Sequence, residues 1–277
     1  RPPWAGGDRN LGAREGKRPS CRGEGGGALA EGTAPVLQRG SAIHPLECAV
    51  VRPPAGTPEL TVAELAIAHP AALGVLHRHH LDFYCHGDRP VAAACADRGL
   101  DVSSLLAEIA VLDEVAEDDR RVRWDQAPLE ALITHIVEDF HRPLETELSV
   151  LRGLAKKVLL AHGTRRDASI PAVVETLAEL SEELLLHMRK EERDLFPWIL
   201  SGGRGDAGSS IPCMEAEHDV TGAALARLRE LTRNFVAPTD ASTSWRLLWR
   251  GLARLERELM EHIHLENNVL FPRVVGG

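Results

Sequence analysis

Apolar residues recur every three or four positions through most of the C-terminal half of the chain. This period places them on one face of a helix, so it predicts amphipathic helices. Four long helices are expected, at about 128–161, 171–199, 212–234 and 242–270. Because no segment alternates as a strand does, residues 128–275 are predicted to form an all-α, up-down four-helix bundle. Pro197 and Pro272 are expected to end the second and fourth helices, since proline removes a helical hydrogen bond.

A set of shorter helical patterns precedes the bundle. Four short helices are expected, at about 61–69, 72–80, 91–98 and 101–112. Thr61 and Glu64 have the spacing of a capping box, and Gly99 is placed to cap the third helix. These elements predict a small helical N-terminal domain at 57–112. Residues 113–127, which are rich in charge, are predicted to be a linker.

The segment 1–56 has a different composition. Residues 1–40 contain ten glycines and four prolines, so this segment has too little apolar surface to offset its chain entropy. A disordered leader is expected at 1–56. Because the chain starts at Arg1, a translated upstream region or a truncated record explains this segment most simply.

Composition and charge narrow the class of protein. The 277 residues carry a net charge of -9, which argues against a nucleic-acid partner because phosphate binding requires a basic surface. Five cysteines without a C-x-x-C pair favour a reducing compartment. No apolar run is long enough to span a membrane, and no signal peptide is apparent. The prediction is a cytoplasmic protein without a membrane partner; a homodimer is left open.

The bundle contains an internal repeat. Residues 187–197 and 262–272 share the motif H-x-x-x-E-x-x-x-L-F-P, which ends the second and the fourth long helical patterns. His141 and His218 each lie ten residues before a Leu-Arg pair in the first and third helices. The pattern indicates a duplicated helical hairpin in which each half provides one lone histidine and one His/Glu pair.

The repeated residues have the spacing of metal ligands. Residues i and i+4 point the same way on a helix, so a His/Glu pair at that spacing can bind one ion. The repeated histidines follow the apolar stripes and are expected to face the core, whereas His135 and His264 are expected to face outward. Buried carboxylates require neutralisation by a cation. The predicted metal ligands are His141, His187, Glu191, His218, His262 and Glu266.

The ligand count favours two metals. If both glutamates bridge and each metal takes two histidines, a shared oxo or hydroxo group completes five ligands and leaves about one open octahedral position per metal. Imidazole and carboxylate without thiolate suit iron or manganese better than structural zinc. Spacing alone leaves iron and manganese as alternatives.

Several other residues have two interpretations. Glu183 and Glu258, each four residues before a predicted ligand histidine, are either hydrogen-bond partners of those histidines or solvated charges. The same alternatives apply to Glu192 and Glu217. Cys85, in a turn beside a histidine, is a reactive thiol, a ligand or an ordinary buried cysteine.

The chain resembles hemerythrin-like proteins, and most closely the di-iron family that repairs iron–sulfur centres. The resemblance extends from about Glu59 to Val275 and rests on motifs in both predicted domains. In the N-terminal domain they are residues 81–87, whose turn matches a D-[FY]-C-C-G type, and 92–101. In the bundle they are residues 139–141, 187–197, 217–219 and 262–273.

The resemblance implies a site and a function. The six predicted ligands would bind two non-haem irons, with Glu191 and Glu266 bridging together with an oxo or hydroxo group, and His162 would lie near the centre. The implied role is repair of iron–sulfur clusters damaged by nitrosative or oxidative stress, through iron donation to iron–sulfur client proteins.

Two alternatives to repair remain open. One is reduction of nitric oxide at the two irons, which would make the protein an enzyme. The other is a binding protein that senses dioxygen or nitric oxide. The family turn often carries two adjacent cysteines where this chain has Tyr84 and Cys85, so a mechanism that needs a vicinal thiol pair is not expected.

Overall fold

The computed structural model describes residues 59–116, 122–163, 169–203 and 210–276. Within these ranges every regular element is a helix, apart from one antiparallel bridge between Thr61 and Pro90. The all-α prediction is therefore confirmed. The predicted leader, residues 1–56, lies outside the described residues. No helix in the described ranges is both long and apolar enough to cross a membrane.

Four short helices precede the bundle: α1 (Val62–Ala68), α2 (Ala72–Arg78), α3 (Val91–Arg98) and α4 (Val102–Ala116). The predicted capping box forms, because Thr61 Oγ1 accepts the Glu64 N–H at 3.1 Å and Glu64 Oε2 accepts the Thr61 N–H at 2.8 Å. Gly99 ends α3 at a φ of 65°, a left-handed conformation that glycine adopts without steric cost.

Helix α4 is longer than the sequence pattern predicts. It continues past the expected end at Leu112 to Ala116, and so enters the predicted linker. No glycine or proline lies in 113–127 to end the helix. Asp113 is also held by His69, with 2.5 Å between Oδ2 and Nδ1. The local sequence thus contains no residue that would stop α4 at Leu112, and the contact between Asp113 and His69 stabilises the helix beyond that point.

Four long helices form the predicted up-down bundle. The first comprises α5 (Leu129–His135), π1 (Ile136–His141) and α6 (Arg142–His162). The second comprises α7 (Ser169–Lys190), π2 (Glu191–Leu195) and α8 (Phe196–Leu200). The third is α9 (Ser210–Leu231), and the fourth comprises α10 (Thr243–His264), π3 (Leu265–Leu270) and α11 (Phe271–Val275). Helices α6 and α9 each pack against both α7 and α10, which closes the bundle.

The prolines expected to end two bundle helices do not end them, so that prediction was wrong. Pro197 and Pro272 each lie in the first turn of a short α-helix that follows a π turn. In the π turn before Pro197, the Phe196 N–H donates to the Glu191 carbonyl rather than to the carbonyl one position later. The hydrogen-bond register is already displaced there, so a residue without an N–H interrupts little. Pro143 follows the first π turn in the same way.

The bundle core is centred on two tryptophans. Trp245 and Trp249 are each 2% exposed and lie edge to face, with ring centroids 5.7 Å apart. Leucines from the other bundle helices pack around them, among them Leu148, Leu177, Leu180 and Leu225. Helices α1–α4 have a core of their own around Phe83, and Ile263 of α10 belongs to it. The N-terminal helices are therefore packed onto α10.

His264 shows what this packing changes. It was predicted to face outward, but it is 3% exposed and lies against the N-terminal helices. Burial lowers the pKa of His264 to about 4, so its neutral ring is left to donate through Nδ1 to the Phe83 carbonyl at 3.0 Å. The prediction was wrong because a helical wheel of the bundle shows which residues face away from its core but not what covers them.

A buried ion pair joins the same two parts of the chain. Glu256 of α10 is 1% exposed and accepts hydrogen bonds from Arg229 of α9. His77 of α2 lies 3.1 Å from the same carboxylate. Burial alone would raise the pKa of Glu256, but His77 and Arg229 outweigh it and hold the pKa below its usual range. The ionised carboxylate therefore links α2, α9 and α10.

Replacing Arg229 by methionine is expected to destabilise the protein by about 3 kcal/mol, because it leaves Glu256 buried with only one partner. Urea unfolding in the presence of a chelator measures the change. Arg227→Met is the matched control, since Arg227 pairs with the exposed Glu230 and contributes about 0.5 kcal/mol or less. Equal losses in the two variants would contradict the role given to the buried pair.

The contribution of Glu256 is also expected to depend on pH. Its folded pKa is lowered, so the stabilisation is complete above the unfolded pKa, about 4.3, and is lost as the pH falls through the folded value. Glu256→Gln should therefore be less stable than the parent at neutral pH and approach it in acid. A difference that stays constant into strongly acidic solution would show that the charge of Glu256 does not contribute.

Candidate metal centre

The six predicted ligands come from all four bundle helices, and three of them lie in π turns. His141 ends π1, Glu191 begins π2 and Glu266 is the second residue of π3. A π turn adds one residue to a helical turn and so re-aims the side chains it carries. His187 and His262 each lie four residues before a glutamate, and His218 lies in the regular helix α9. All six side chains are buried in the bundle.

These side chains form two groups that share their carboxylates. One group is His141, Glu191, His262 and Glu266; the other is His187, Glu191, His218 and Glu266. Within each group the candidate ligand atoms all lie within 4.8 Å of one another. The first group is called site A below, and the second is called site B.

Each glutamate gives one oxygen to each site. Glu191 Oε2 lies 3.5 Å from His141 Nε2 in site A, and Glu191 Oε1 lies 3.2 Å from His187 Nε2 in site B. Glu266 Oε1 lies 3.1 Å from His262 Nε2, and Glu266 Oε2 lies 3.1 Å from His218 Nε2. This is the arrangement that two bridging carboxylates require.

The spacing and burial fit metal ions. Two ligand atoms bound side by side to one ion at about 2.1 Å lie roughly 3 Å apart. The Nε2 atoms of His187 and His218 are 3.0 Å apart, and those of His141 and His262 are 3.1 Å apart. Both glutamates are 0% exposed, and both oxygens of Glu191 lack a well-aligned hydrogen bond among the described residues. Buried carboxylates of this kind require a cation.

The electrostatics favour an ionised carboxylate at Glu266. Burial alone would raise the pKa of Glu266, but His262 and His218 outweigh it and hold the pKa well below its usual range. Burial would likewise lower the pKa of His187, but the charge of Glu191 outweighs it and raises the pKa of His187 to about 9. His187 therefore holds its proton at neutral pH in the absence of metal, and this proton competes with a cation for the same nitrogen.

Three of the four imidazoles are oriented through their outer nitrogen. His141 Nδ1 lies 3.1 Å from Glu192 Oε1, and His187 Nδ1 lies 2.8 Å from Glu217 Oε2. His218 Nδ1 lies 2.7 Å from the side-chain oxygen of Asn267. A second hydrogen bond of this kind fixes the ring and strengthens a histidine ligand. Glu192 and Glu217 therefore contact the ligand histidines, the first of the two interpretations the sequence left open.

Asn267 was missed by sequence reasoning, although the repeat contains the signal. It occupies in the second copy of the motif the position that Glu192 has in the first, directly after a bridging glutamate. Each of the two binds the lone histidine that comes from the first helix of a hairpin, His141 or His218. The equivalence is hidden in the sequence because the two residues differ in type, a glutamate in one copy and an asparagine in the other.

Comparison with known proteins places the chain among its relatives. The Hemerythrin HHE cation binding domain matches residues 132–274, and a domain of unknown function (DUF542) matches residues 58–113. The chain is 40% identical over 219 residues to the iron-sulfur cluster repair protein YtfE of Musicola paradisiaca. The matched region covers 79% of this chain and 97% of that protein. Its identity to the proteins of the same name from Yersinia pseudotuberculosis and Dickeya chrysanthemi is 38% over 217 residues, 78% of this chain and 97% of each relative.

The chain belongs to the YtfE family. The resemblance inferred from its motifs is thereby confirmed, together with the hemerythrin-like fold and a cation-binding domain of that type. The six residues assigned as ligands fall within the hemerythrin match. Their role as metal ligands stays a prediction, which the geometry of sites A and B supports.

Two of the remaining candidates lie outside the centre of this YtfE family member. Glu183 is exposed, and Glu217 instead binds the outer nitrogen of His187. His162 lies at the end of α6, where its Nε2 is 3.1 Å from Ser242 Oγ and its ring packs against Trp245. His162 therefore contributes to packing at a helix end.

Glu258 and Cys85 lie close to the centre without belonging to either site. Glu258 lies 3.5 Å from Arg254 and lines a small cavity that His262 also lines. The Cys85 thiol donates to the backbone carbonyl of His218 at 3.5 Å, and burial raises its pKa. A thiol held protonated in this way is a weak nucleophile. Of the three interpretations of Cys85, the hydrogen bond of its thiol therefore favours an ordinary buried cysteine over a reactive thiol or a metal ligand.

Glu217→Ala is expected to weaken the binding of ferrous iron by about 10- to 100-fold, because the His187 ring loses its acceptor. Anaerobic competition with a chelator measures this affinity. Glu215→Ala is the matched control: Glu215 is an exposed glutamate two residues earlier on the same helix. Equal affinities in the two variants would mean that Glu217 does not orient the ligand.

Proposed function

We propose that this protein holds two iron ions in sites A and B and repairs damaged iron–sulfur clusters by donating iron. The observation that carries the proposal is the pair of four-residue groups joined by two buried carboxylates. Each ion would be held by two imidazole nitrogens and two carboxylate oxygens. The residues that would hold the two ions are His141, His187, Glu191, His218, His262 and Glu266, and the carboxylates of Glu191 and Glu266 would be shared by both.

The donor set favours iron over zinc. Structural zinc sites are tetrahedral and commonly include thiolates, whereas carboxylate and imidazole sites suit ions of higher coordination number. Cys85, which contacts the backbone of a site B ligand, binds a carbonyl oxygen through its thiol. Neither site A nor site B includes a cysteine among its four residues.

The same donor set is suited to releasing iron. Iron–sulfur clusters are held by cysteine thiolates and sulfide, which are softer and more strongly donating than carboxylate. An ion held only by nitrogen and oxygen can therefore be transferred to a cluster site that has lost iron. The clients are damaged iron–sulfur proteins, in agreement with the name of the relatives, iron-sulfur cluster repair protein.

Metal content is the first test. The protein purified without oxygen is expected to hold two irons per chain, and His187→Ala and Glu266→Ala should each lose most of it. His162→Ala is the control, since His162 lies at a helix end away from both sites. Zinc in place of iron, or iron that neither ligand change affects, would remove the basis of the proposal.

Repair itself is tested with an iron–sulfur enzyme inactivated by nitric oxide. The iron-loaded protein should restore its activity, whereas the Glu266→Ala variant should not. Ferrous salt with a thiol, at the same iron concentration, controls for free iron. If the salt restores the enzyme and the iron-loaded protein does not, the protein is not an iron donor.

Reduction of nitric oxide is a second candidate. Four protein donors per ion leave two positions of an octahedron, and a bridging oxygen would take one of them. The remaining position gives each ion room for a small ligand such as nitric oxide or dioxygen. Catalysis predicts many equivalents of nitrous oxide per chain when an electron donor is supplied, and binding alone predicts no more than stoichiometric uptake of nitric oxide.

A further inference from the structure

Sites A and B are built from equivalent parts of the repeat, but their histidines differ in the hydrogen bonds that hold the outer ring nitrogens. In site B, Glu217 precedes His218 in sequence and binds the outer nitrogen of His187. The residue that precedes His141 in the other half is Phe140. The Phe140 ring stacks on His262, with ring centroids 5.4 Å apart. In the other half, the equivalent position beside His187 is occupied by the Glu217 carboxylate, which is a hydrogen-bond acceptor. A hydrogen-bond acceptor in one half is thus replaced by an apolar ring in the other.

His262 consequently lacks the support that the other histidines have. Its Nδ1 is buried and has no hydrogen-bond partner among the described residues. A cavity of about 20 Å³ lies against this ring and is also lined by Asp139 and Glu258. That volume admits a single water molecule, which is an exchangeable partner. Both histidines of site B are held by protein side chains, but only one of the two in site A is.

The two sites also differ in one distance between a histidine Nε2 and its nearest carboxylate oxygen. In site B, His187 Nε2 and His218 Nε2 lie 3.2 and 3.1 Å from their nearest carboxylate oxygens. In site A, His262 Nε2 is equally close to Glu266 Oε1, at 3.1 Å. His141 Nε2, however, lies 3.5 Å from Glu191 Oε2, its nearest carboxylate oxygen. Three of the four histidine Nε2 atoms therefore have a carboxylate oxygen near the roughly 3 Å spacing of neighbouring ligands on one ion, and the exception belongs to site A.

The turn at Tyr84 and Cys85 contacts a ligand of site B and its hydrogen-bond partner directly, whereas the N-terminal domain reaches site A through Ile263 and His264, the residues that follow His262. The Tyr84 carbonyl accepts a hydrogen bond from Asn267, which in turn holds His218. The Cys85 thiol donates to the His218 carbonyl. The cavity beside His262, in contrast, is lined only by bundle residues. The N-terminal domain thus fixes the backbone and the ring of one ligand of site B.

We propose that site A holds its ion less tightly than site B, so that the ion bound by His141 and His262 leaves first. A ligand histidine without a hydrogen-bond partner for its outer nitrogen typically lowers metal affinity by about 10- to 100-fold. In a protein that donates iron, site A is then the source of the donated ion and site B retains its ion. This last step rests on the proposed function, whereas the inequality of the two sites does not.

Release of iron to a chelator tests the inequality without a client protein. The protein loaded with two ferrous ions is mixed with a colorimetric chelator in the absence of oxygen. Release is expected in two phases of one iron each, the first at least about tenfold faster. A single phase that releases both irons would overturn the proposal.

Crystallography assigns the phases to the sites. Protein from which one iron has been removed should show anomalous scattering at the iron edge between His187 and His218 only. Iron remaining between His141 and His262 would overturn the proposal. This measurement needs no substitution, so it does not depend on whether a variant folds.

A pair of substitutions tests the cause. Phe140→Glu places a carboxylate where Glu217 stands in the other half, so the fast phase should slow by about tenfold or more while the slow phase stays unchanged. Phe140→Leu, which removes the ring without adding an acceptor, is the matched control and should not slow it. If both variants behave alike, the missing acceptor is not the cause.

The results separate this proposal from the proposed function. Two phases with iron retained in site B, together with failure to repair a damaged cluster, would leave the inequality standing and remove the role of donor. Repair with a single phase of release would leave the role of donor and overturn the inequality.

Discussion

Two carboxylates lie side by side in the middle of a helical bundle, and the groups around them are arranged to compensate their buried charge. Glu191 and Glu266 are 0% exposed, and burying two negative charges side by side is unfavourable without compensation. Four imidazoles surround them, and a layer of polar groups beyond the imidazoles holds three of the rings. A cation bound between the carboxylates would neutralise both, so the arrangement is complete only with metal.

The backbone of the bundle is adapted to the same site. Three helices contain a π turn where they carry a ligand, and each π turn is followed directly by an α-helical segment with proline in its first turn. The π turn displaces the hydrogen-bond register, which makes the proline tolerable and allows the helix to continue. Here proline is therefore a sign of a local change in helix type. It does not mark the end of the helix.

The duplication explains both the symmetry of the centre and its imbalance. Equivalent helices supply equivalent candidate ligands, which gives two candidate sites of the same composition. The residues around the ligands have diverged: Phe140 stands where the other half has Glu217, and the N-terminal helices contact the Asn267 and His218 side. Two ions with identical ligands can therefore differ in stability through their surroundings alone.

The helical fold and the family follow from the sequence alone, which also predicted the six residues that the structure brings together. Helical period and i,i+4 spacing are local properties, and the repeated motif relates the two halves without a structure. What covers each helix face depends instead on how the helices pack together. His264 is buried under a separate set of helices, Glu183 does not contact His187, and Asn267 is the partner of His218. These contacts join residues from different helices, and the period within one helix carries no information about the neighbour that packs against it.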